Sequence, residues 1–351
     1  MSDMSIALQR QVSSAIADKT VLNIVGGDSK SHLGRPVAGQ TMSVAGHQGI
    51  TSYEPTELVI SARTGTSLQE IEHTLKRNNQ MLPFEPPHFG ATATLGGTIA
   101  CNLSGPGRAY RGAARDFVLG TKVINGDAQV MKFGGEVMKN VAGYDVSRLM
   151  CGAMGGLGVL LEVSLKVLPR PASEISLVQE LDQQAAIIRM NELSAQALPL
   201  SASCWQENKL YLRLSGAKSS VQAARSRLGG ELLPESEIFW QQLREHQLSF
   251  FNNEKPLWRL SVPPTSAQLE VDGEWLIEWG GGQRWLKSDA NPEHVFAVAL
   301  AAGGHASRYG NTVEQAIFQP LQTGLVSLHR NLKQAFDPHG IFNPGKMYPE
   351  L

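Results

Sequence analysis

The chain has 351 residues, 42% of them hydrophobic, and a formal net charge of −1. That length exceeds one ordinary core and suits about two domains, while the near-balance of charge argues against nucleic acid or an anionic membrane as a direct partner. Three scattered cysteines, Cys101, Cys151 and Cys204, supply neither a disulfide framework, a zinc site nor an iron–sulfur cluster, so no metal is expected on this chain.

Ala7 to Ala17 has apolar residues at helical spacing, with Leu8, Val12, Ala15 and Ile16 on one face. The strand Val21 to Val25 runs into Gly26-Gly27-Asp28-Ser29-Lys30-Ser31. Consecutive amides in such a turn form a concave nest for phosphate oxygens, and Ser29 and Lys30 add donors. A plain strand-to-loop turn is the other reading. Neither a G-x-G-x-x-G/A after a strand nor a G-x-x-x-x-G-K-[ST] occurs, which argues against Rossmann and P-loop sites. Glu57 to Arg63 reads as a strand, and Thr66 with Gln69 has capping-box spacing for a helix to about Asn78. Pro83, Pro86 and Pro87 hold the next segment extended, ahead of a second glycine loop, Thr94-Leu95-Gly96-Gly97. Arg115 to Ile124 and Gln129 to Phe133 read as strands joined by a turn at Asn125-Gly126. Val159 to Val167 alternates as a strand with its odd-numbered residues on one face, and Pro169-Arg170-Pro171 marks a boundary.

Beyond it, strands and helices mix in α+β order. Strands are expected at Ile175 to Leu181, Leu257 to Val262, Glu274 to Trp279 and His305 to Tyr309, with a hairpin over Leu200 to Leu214. Helices are expected at Asp182 to Ala195, Ala217 to Leu228, Glu235 to His246, Glu293 to Ala302 and Pro320 to Phe336. The excess of glycine, 35 residues against a usual share of about 7%, falls at bends between short apolar runs. It points to backbone pressed against a large, partly anionic cofactor. The N-terminus has no signal-peptide pattern and no apolar run approaches about 20 residues, so the expected location is cytoplasmic.

Val25 to Ser29, Thr94 to Ala100, Leu157 to Leu160 and Asp337-Pro338-His339-Gly340-Ile341-Phe342-Asn343-Pro344-Gly345-Lys346 together resemble flavin-binding oxidoreductases of the vanillyl-alcohol oxidase/p-cresol methylhydroxylase (PCMH) type. Asn23 to Arg35 and Gly135 to Asp145 are similar, more closely, to the E-subunit family of bacterial glycolate oxidases. The resemblance implies an α+β fold: a two-part FAD-binding domain over 1–170, a ferredoxin-like cap over 171–315, and a C-terminal segment, 316–351, that returns to the flavin.

It also implies non-covalent FAD. Gly26, Gly27, Asp28, Ser29 and Lys30 would take the pyrophosphate, and Thr94, Gly96 and Gly97 the pyrophosphate and flavin edge. The main chain of Gly158, Val159 and Leu160 would hold the far side of the cofactor, with Asn343 and Lys346 approaching from the C-terminus. The implied substrate is a small 2-hydroxy acid, glycolate in this family. The implied partners are a larger flavin subunit and an iron–sulfur subunit, through which the complex would sit peripherally on the inner membrane. Oxidising such an acid requires a base and a cation for its carboxylate. His305 and Arg308, in Gly303-Gly304-His305-Ala306-Ser307-Arg308-Tyr309-Gly310-Asn311, are the candidates, with Arg284, Arg108, Arg111 and Arg115 as further cations. The motif lacks the second histidine of related dehydrogenases. A self-sufficient 2-hydroxy-acid dehydrogenase and a non-catalytic flavin-fold scaffold remain as alternatives.

Overall fold

A computed structural model describes residues 2–135, 144–252, 255–310 and 317–351. Most of the Gly135 to Asp145 motif, and Asn311, lie outside them. The N-terminal half has two cores. Helix α1 (Ser5–Asp18) buries Leu8, Val12 and Ala15 against a parallel pair, β1 (Leu22–Val25) and β2 (Gln40–Ser43). The C-terminal return adds to this pair: Leu22 bridges Phe342 in parallel, and Ile341 and Phe342 complete the core.

The second core lies under a five-stranded antiparallel sheet. Its strands are β3 (Ile50–Glu54), β4 (Val59–Arg63), β5 (Val118–Ile124), β6 (Val130–Gly134) and β7 (Val159–Lys166), in the order β3-β4-β7-β5-β6. Helices α2 (Leu68–Arg77) and α3 (Leu95–Cys101) cover it. The expected single apolar face of β7 is divided. Lys122 pairs with Glu162 but Val123 with Leu160, so Leu161 is the extra residue of a bulge. Val159 and Leu161 then enter the first core, and Val163, Leu165 and Val167 the second.

Several local expectations shift for visible reasons. The cap of α2 is Ser67, which accepts from Glu70 N–H at 3.1 Å, because the Thr66 hydroxyl already accepts from Gly49 N–H at 2.9 Å. Thr94 to Gly97 is the start of α3, with Thr94 as its N-cap. Strand β5 begins at Val118, after a 3-10 turn over Ala114–Phe117 closed by Ala113 N–H donating to Asp116 Oδ2 at 2.8 Å. Asn125 folds a wider loop than a two-residue hairpin, with its Oδ1 accepting from Asp127 N–H at 3.1 Å and Gln129 N–H at 2.8 Å.

The cap is one eight-stranded antiparallel sheet. Its first half is β8 (Ser173–Glu180), α4 (Gln183–Ser194), β9 (Leu200–Gln206), β10 (Lys209–Gly216), α5 (Lys218–Leu228) and β11 (Glu231–Leu232), in the spatial order β11-β8-β10-β9. That is the ferredoxin-like βαββαβ arrangement. Helix α6 (Ser236–Arg244) leads into the second half, which continues the sheet with β12 (Leu257–Ser261), β13 (Glu274–Glu278), β14 (Gln283–Lys287) and, after helix α7 (Pro292–Ala301), β15 (His305–Tyr309). These follow β9 in the order β13-β14-β12-β15. The last helix, α8, runs Thr323–Phe336 rather than from Pro320, and Asp337 breaks it ahead of the return. All the tryptophans are buried: Trp205, Trp258 and Trp275 pack in the cap's larger core, and Trp240 and Trp285 in its smaller one, with Trp279 also buried.

Candidate functional site

A cleft of about 490 Å³ opens where the turn after β1, the first turn of α3, the segment leading into β7 and the C-terminal return converge. Gly26, Gly27, Asp28, Ser29, Lys30, Thr94, Gly96, Gly97, Gly158, Leu160, Asn343 and Lys346 all line it. Val159 does not: its side chain is buried with Leu161 and Ile341, and it pairs with Ile124 in the sheet.

The turn after β1 is the polar centre of this cleft. Asp28 sits at φ +57°, a left-handed conformation that curls the chain along the cleft. Among the described residues, the N–H groups of Gly26, Gly27, Asp28 and Ser29 donate to no protein acceptor. These residues are half-buried to exposed and open to the cleft, so a row of adjacent free amides there can accept an anion's oxygens in place of water. The second glycine loop differs from expectation. Gly96 N–H donates to Thr64 O at 2.8 Å and Gly97 N–H to Thr94 Oγ1 at 3.3 Å, so these amides are already used and the loop serves as a wall. Gly27 is demanded by packing rather than by a ligand, since a Cβ there would stand 1.5 Å from Thr92 O. Asn343 is likewise a staple: Ile24 N–H donates to its Oδ1 at 2.8 Å and its Nδ2 donates to Met154 O at 2.7 Å.

Two cations flank the cradle. Lys30 Nζ donates to His88 O at 3.2 Å and Ser29 Oγ at 3.3 Å, and burial draws its pKa below the usual lysine value. Burial lowers Lys346 in the same direction. Both ammonium groups therefore gain from an anion beside them. His32, on the same turn, is held neutral first by burial and then by those two lysines. Cleft volume, free amides and paired cations fit a dinucleotide with a charged diphosphate and a flat ring.

The expected catalytic pair does not reach this cleft. His305 is exposed at the start of β15, paired with Ser261, and Arg308 stacks over Trp258 with its guanidinium carbon 5.9 Å from the ring centroid. Residues of a strand alternate faces, and Arg308 points to the helix-covered side of the cap. Arg284 is consumed as a structural clamp on Gly281 O, Ala267 O and Ser266 O. Arg111 pairs with Glu85 at 2.7 Å, Arg115 is exposed, and Arg108 stacks on Trp279 at 4.4 Å. The residue that does face inward from the cap is Tyr309, whose ring lies 5.2 Å from that of His32. Behind it a small chamber lies between the domains, lined by Arg259, Glu278, Gln283, Trp285 and His246 among others. None of these stood out locally in the sequence; alternation on β15 placed Tyr309 on the same face as His305.

A glycine-lined cleft in an α/β half joined to a ferredoxin-like sheet is the architecture of FAD-linked oxidoreductases, the class that the comparisons give for this chain. The family description "FAD binding domain" matches residues 7–134, and "FAD linked oxidases, C-terminal domain" matches 293–347. The chain is 52% identical to the glycolate oxidase subunit GlcE of Escherichia coli (strain K12), over 99% of both chains. It is 34% identical to a D-lactate dehydrogenase of Archaeoglobus fulgidus, covering 82% of this chain and 76% of that one. A solved alkyldihydroxyacetonephosphate synthase shares the fold, with a TM-score of 0.68 at 15% identity over 96% of this chain and 75% of the other. The chain belongs to the GlcE family of FAD-linked oxidoreductase subunits. Among the described residues, no helix is long and apolar enough to cross a membrane.

Proposed function

We propose that this chain is the FAD-binding subunit of a glycolate oxidase that converts glycolate to glyoxylate, working with a larger flavin subunit and an iron–sulfur subunit. Membrane association would come through those partners. The observation that carries the reading is the run of unpartnered amides from Gly26 to Ser29, set between Lys30 and Lys346. That arrangement suits a dianionic diphosphate, and Gly97 leaves the cleft wall open beside it, since a Cβ there would meet only Thr94 Oγ1 at 3.4 Å. FAD, when bound, supplies the hydride acceptor. The residues of this chain would hold it, and burial together with Lys30 and Lys346 keeps His32 neutral beside Tyr309. The first glycine loop, with Lys30 and His32, does not match the motif by which some family members attach flavin through a histidine, and we take the cofactor as held non-covalently.

The purified chain should be yellow and release its flavin on acid precipitation, with about one FAD per chain. Colourless protein that takes up no added FAD would overturn the reading. Anaerobic glycolate separates subunit from self-sufficient dehydrogenase: prompt bleaching of the isolated chain would favour the latter. Dependence of bleaching on the partner subunits would favour the former.

A further inference from the structure

We infer that the apolar face of α8 and the groove beside it form a docking surface for an electron-transfer protein subunit, one that presents an apolar projection rimmed by carboxylates. The inference rests on the flavin-subunit reading and adds to it the face through which this chain meets its redox partner.

Helix α8 carries Leu325, Leu328, Leu332 and Phe336 at spacings of three and four, which places them on one face. Such a face is normally packed along its length, because a helix of 14 residues is marginal in water by itself. Here it is held only at its C-terminal end. Phe336 packs against the second core, and Lys333 is tied to Asp337 and to the carbonyls of Gly156 and Phe342. Toward the N-terminal end the same face is bare: Leu325 is 43% exposed and Leu328 52%, and no residue of the helix is fully buried. One exposed leucine means little, but two in line with a groove make a contiguous apolar patch. The groove has Leu149, Cys151, Leu157, Leu332, Met347 and Leu351 on its walls. It measures about 190 Å³, room for on the order of a dozen waters and so for an inserted apolar side chain.

Three observations choose the occupant. Asn343 and Lys346 line both this groove and the FAD cleft, so a chain seated here lies behind the same C-terminal return that walls the cofactor. That position suits a protein that exchanges electrons with the flavin. Helix α8 has no carboxylate, and its Arg330 is exposed and outside any ion pair among the described residues. A second copy docked face to face by a two-fold axis would set Arg330 against its own counterpart, whereas carboxylates on a different partner complement it. A lipid surface is flat and calls for a polar face rich in lysine and arginine. Among the described residues α8 offers Arg330 alone, since Lys333 is spent on Asp337, and the groove asks for a projection.

The test co-expresses the tagged chain with the larger flavin subunit and the iron–sulfur subunit, with the photo-crosslinker p-benzoylphenylalanine in place of Leu328. Light should join this chain to the iron–sulfur subunit. Leu325→Glu with Leu328→Glu should lower the co-purified iron–sulfur subunit at least tenfold, with FAD content and melting temperature of the isolated chain unchanged. Arg330→Glu should lower it several-fold and flatten its dependence on salt. Ile188→Glu, an equally exposed site on α4, should change nothing. A crosslink to the larger flavin subunit or to a second copy, no crosslink at all, or wild-type recovery in the double variant would overturn the assignment. So would binding of the isolated chain to phosphatidylglycerol vesicles that the double variant abolishes. If the double variant misfolds, the crosslink and Arg330→Glu decide. A chain that holds no FAD refutes the cofactor reading instead, and the crosslink still judges the surface.

Discussion

Two residues of the cradle turn do opposite things, and substitution separates them. Gly27 serves the fold. A Cβ would collide with Thr92 O at 1.5 Å, so Gly27→Ala must part the two loops that wall the cleft. We expect a loss of about 1–3 kcal/mol in the flavin-free protein, together with loss of FAD. Lys30, in the proposed reading, serves the ligand. Its ammonium is buried and its pKa lowered, so in the empty cleft it costs stability rather than adding to it. Lys30→Met should leave the melting temperature of the flavin-free protein unchanged or higher, while weakening FAD about tenfold to a hundredfold. Thermal melts of apo protein and flavin titrations would check both. A Lys30→Met protein with wild-type FAD affinity would remove Lys30 from the site.

At the scale of elements, what was legible in the sequence is what local chemistry determines. The glycine turn after β1 was readable as a turn from Gly26-Gly27, though a plain loop read equally from those residues; the structure puts it on the cleft wall. The end of the last helix was readable from Pro338 and Gly340, whereas the return of the C-terminus was implied by the family resemblance of Asp337 to Lys346. Strand β2 was not: only Met42 of Gln40–Ser43 is buried, so no alternation marks it. The cap of α2 moved by one residue because Gly49, distant in sequence, had claimed Thr66. Arg259 was invisible for the same kind of reason, since its neighbours in the chamber, Gln283, Glu278 and Tyr309, lie on other strands. His305 drew notice through its glycine neighbours, yet β15 carries it to an exposed position. The return also depends on one element junction. Asp337, whose side chain is fully buried, pairs with Lys333 at 2.7 Å and accepts from Phe342 N–H at 2.8 Å and Ile341 N–H at 3.1 Å. Asp337→Ala removes the counter-ion of Lys333, which keeps only the carbonyls of Gly156 and Phe342, and leaves those amides without an acceptor, and should cost about 3–5 kcal/mol. Denaturant unfolding would measure it, and FAD retention should fall with it, because Asn343 and Lys346 follow directly.

For the whole molecule, the question is what holds cap and FAD domain in one register, since the chamber exists only between them. Glu85, on the proline-rich segment, receives Arg213 and Arg111 at 2.7 Å each and Gly107 N–H at 2.8 Å. Glu245, from the cap, accepts from His88 N–H at 3.0 Å and Phe89 N–H at 2.8 Å. Burial alone would raise the Glu85 carboxyl, but the two arginines and the amide outweigh it and hold its pKa below the ordinary 4.5. Its stabilising contribution is therefore complete above about pH 4.5 and is lost as the pH falls further. His246, at the same interface, is pushed by burial from 6.5 to about 3, so the unfolded chain takes up a proton there that the folded chain refuses. That contribution begins to disappear below about pH 6.5, and His32 acts in the same direction. Both slopes have one sign. The melting temperature should be highest at neutral pH, decline through pH 6 to 5, and drop more steeply below about pH 4.5. In Glu85→Gln the stability at pH 7 should be lower by about 3–5 kcal/mol and the acid step shallower, because the titrating bridge is gone. Stability that rises between pH 7 and 5, or an acid step of full size in Glu85→Gln, would show that the two domains are joined by something other than this carboxylate and its arginines.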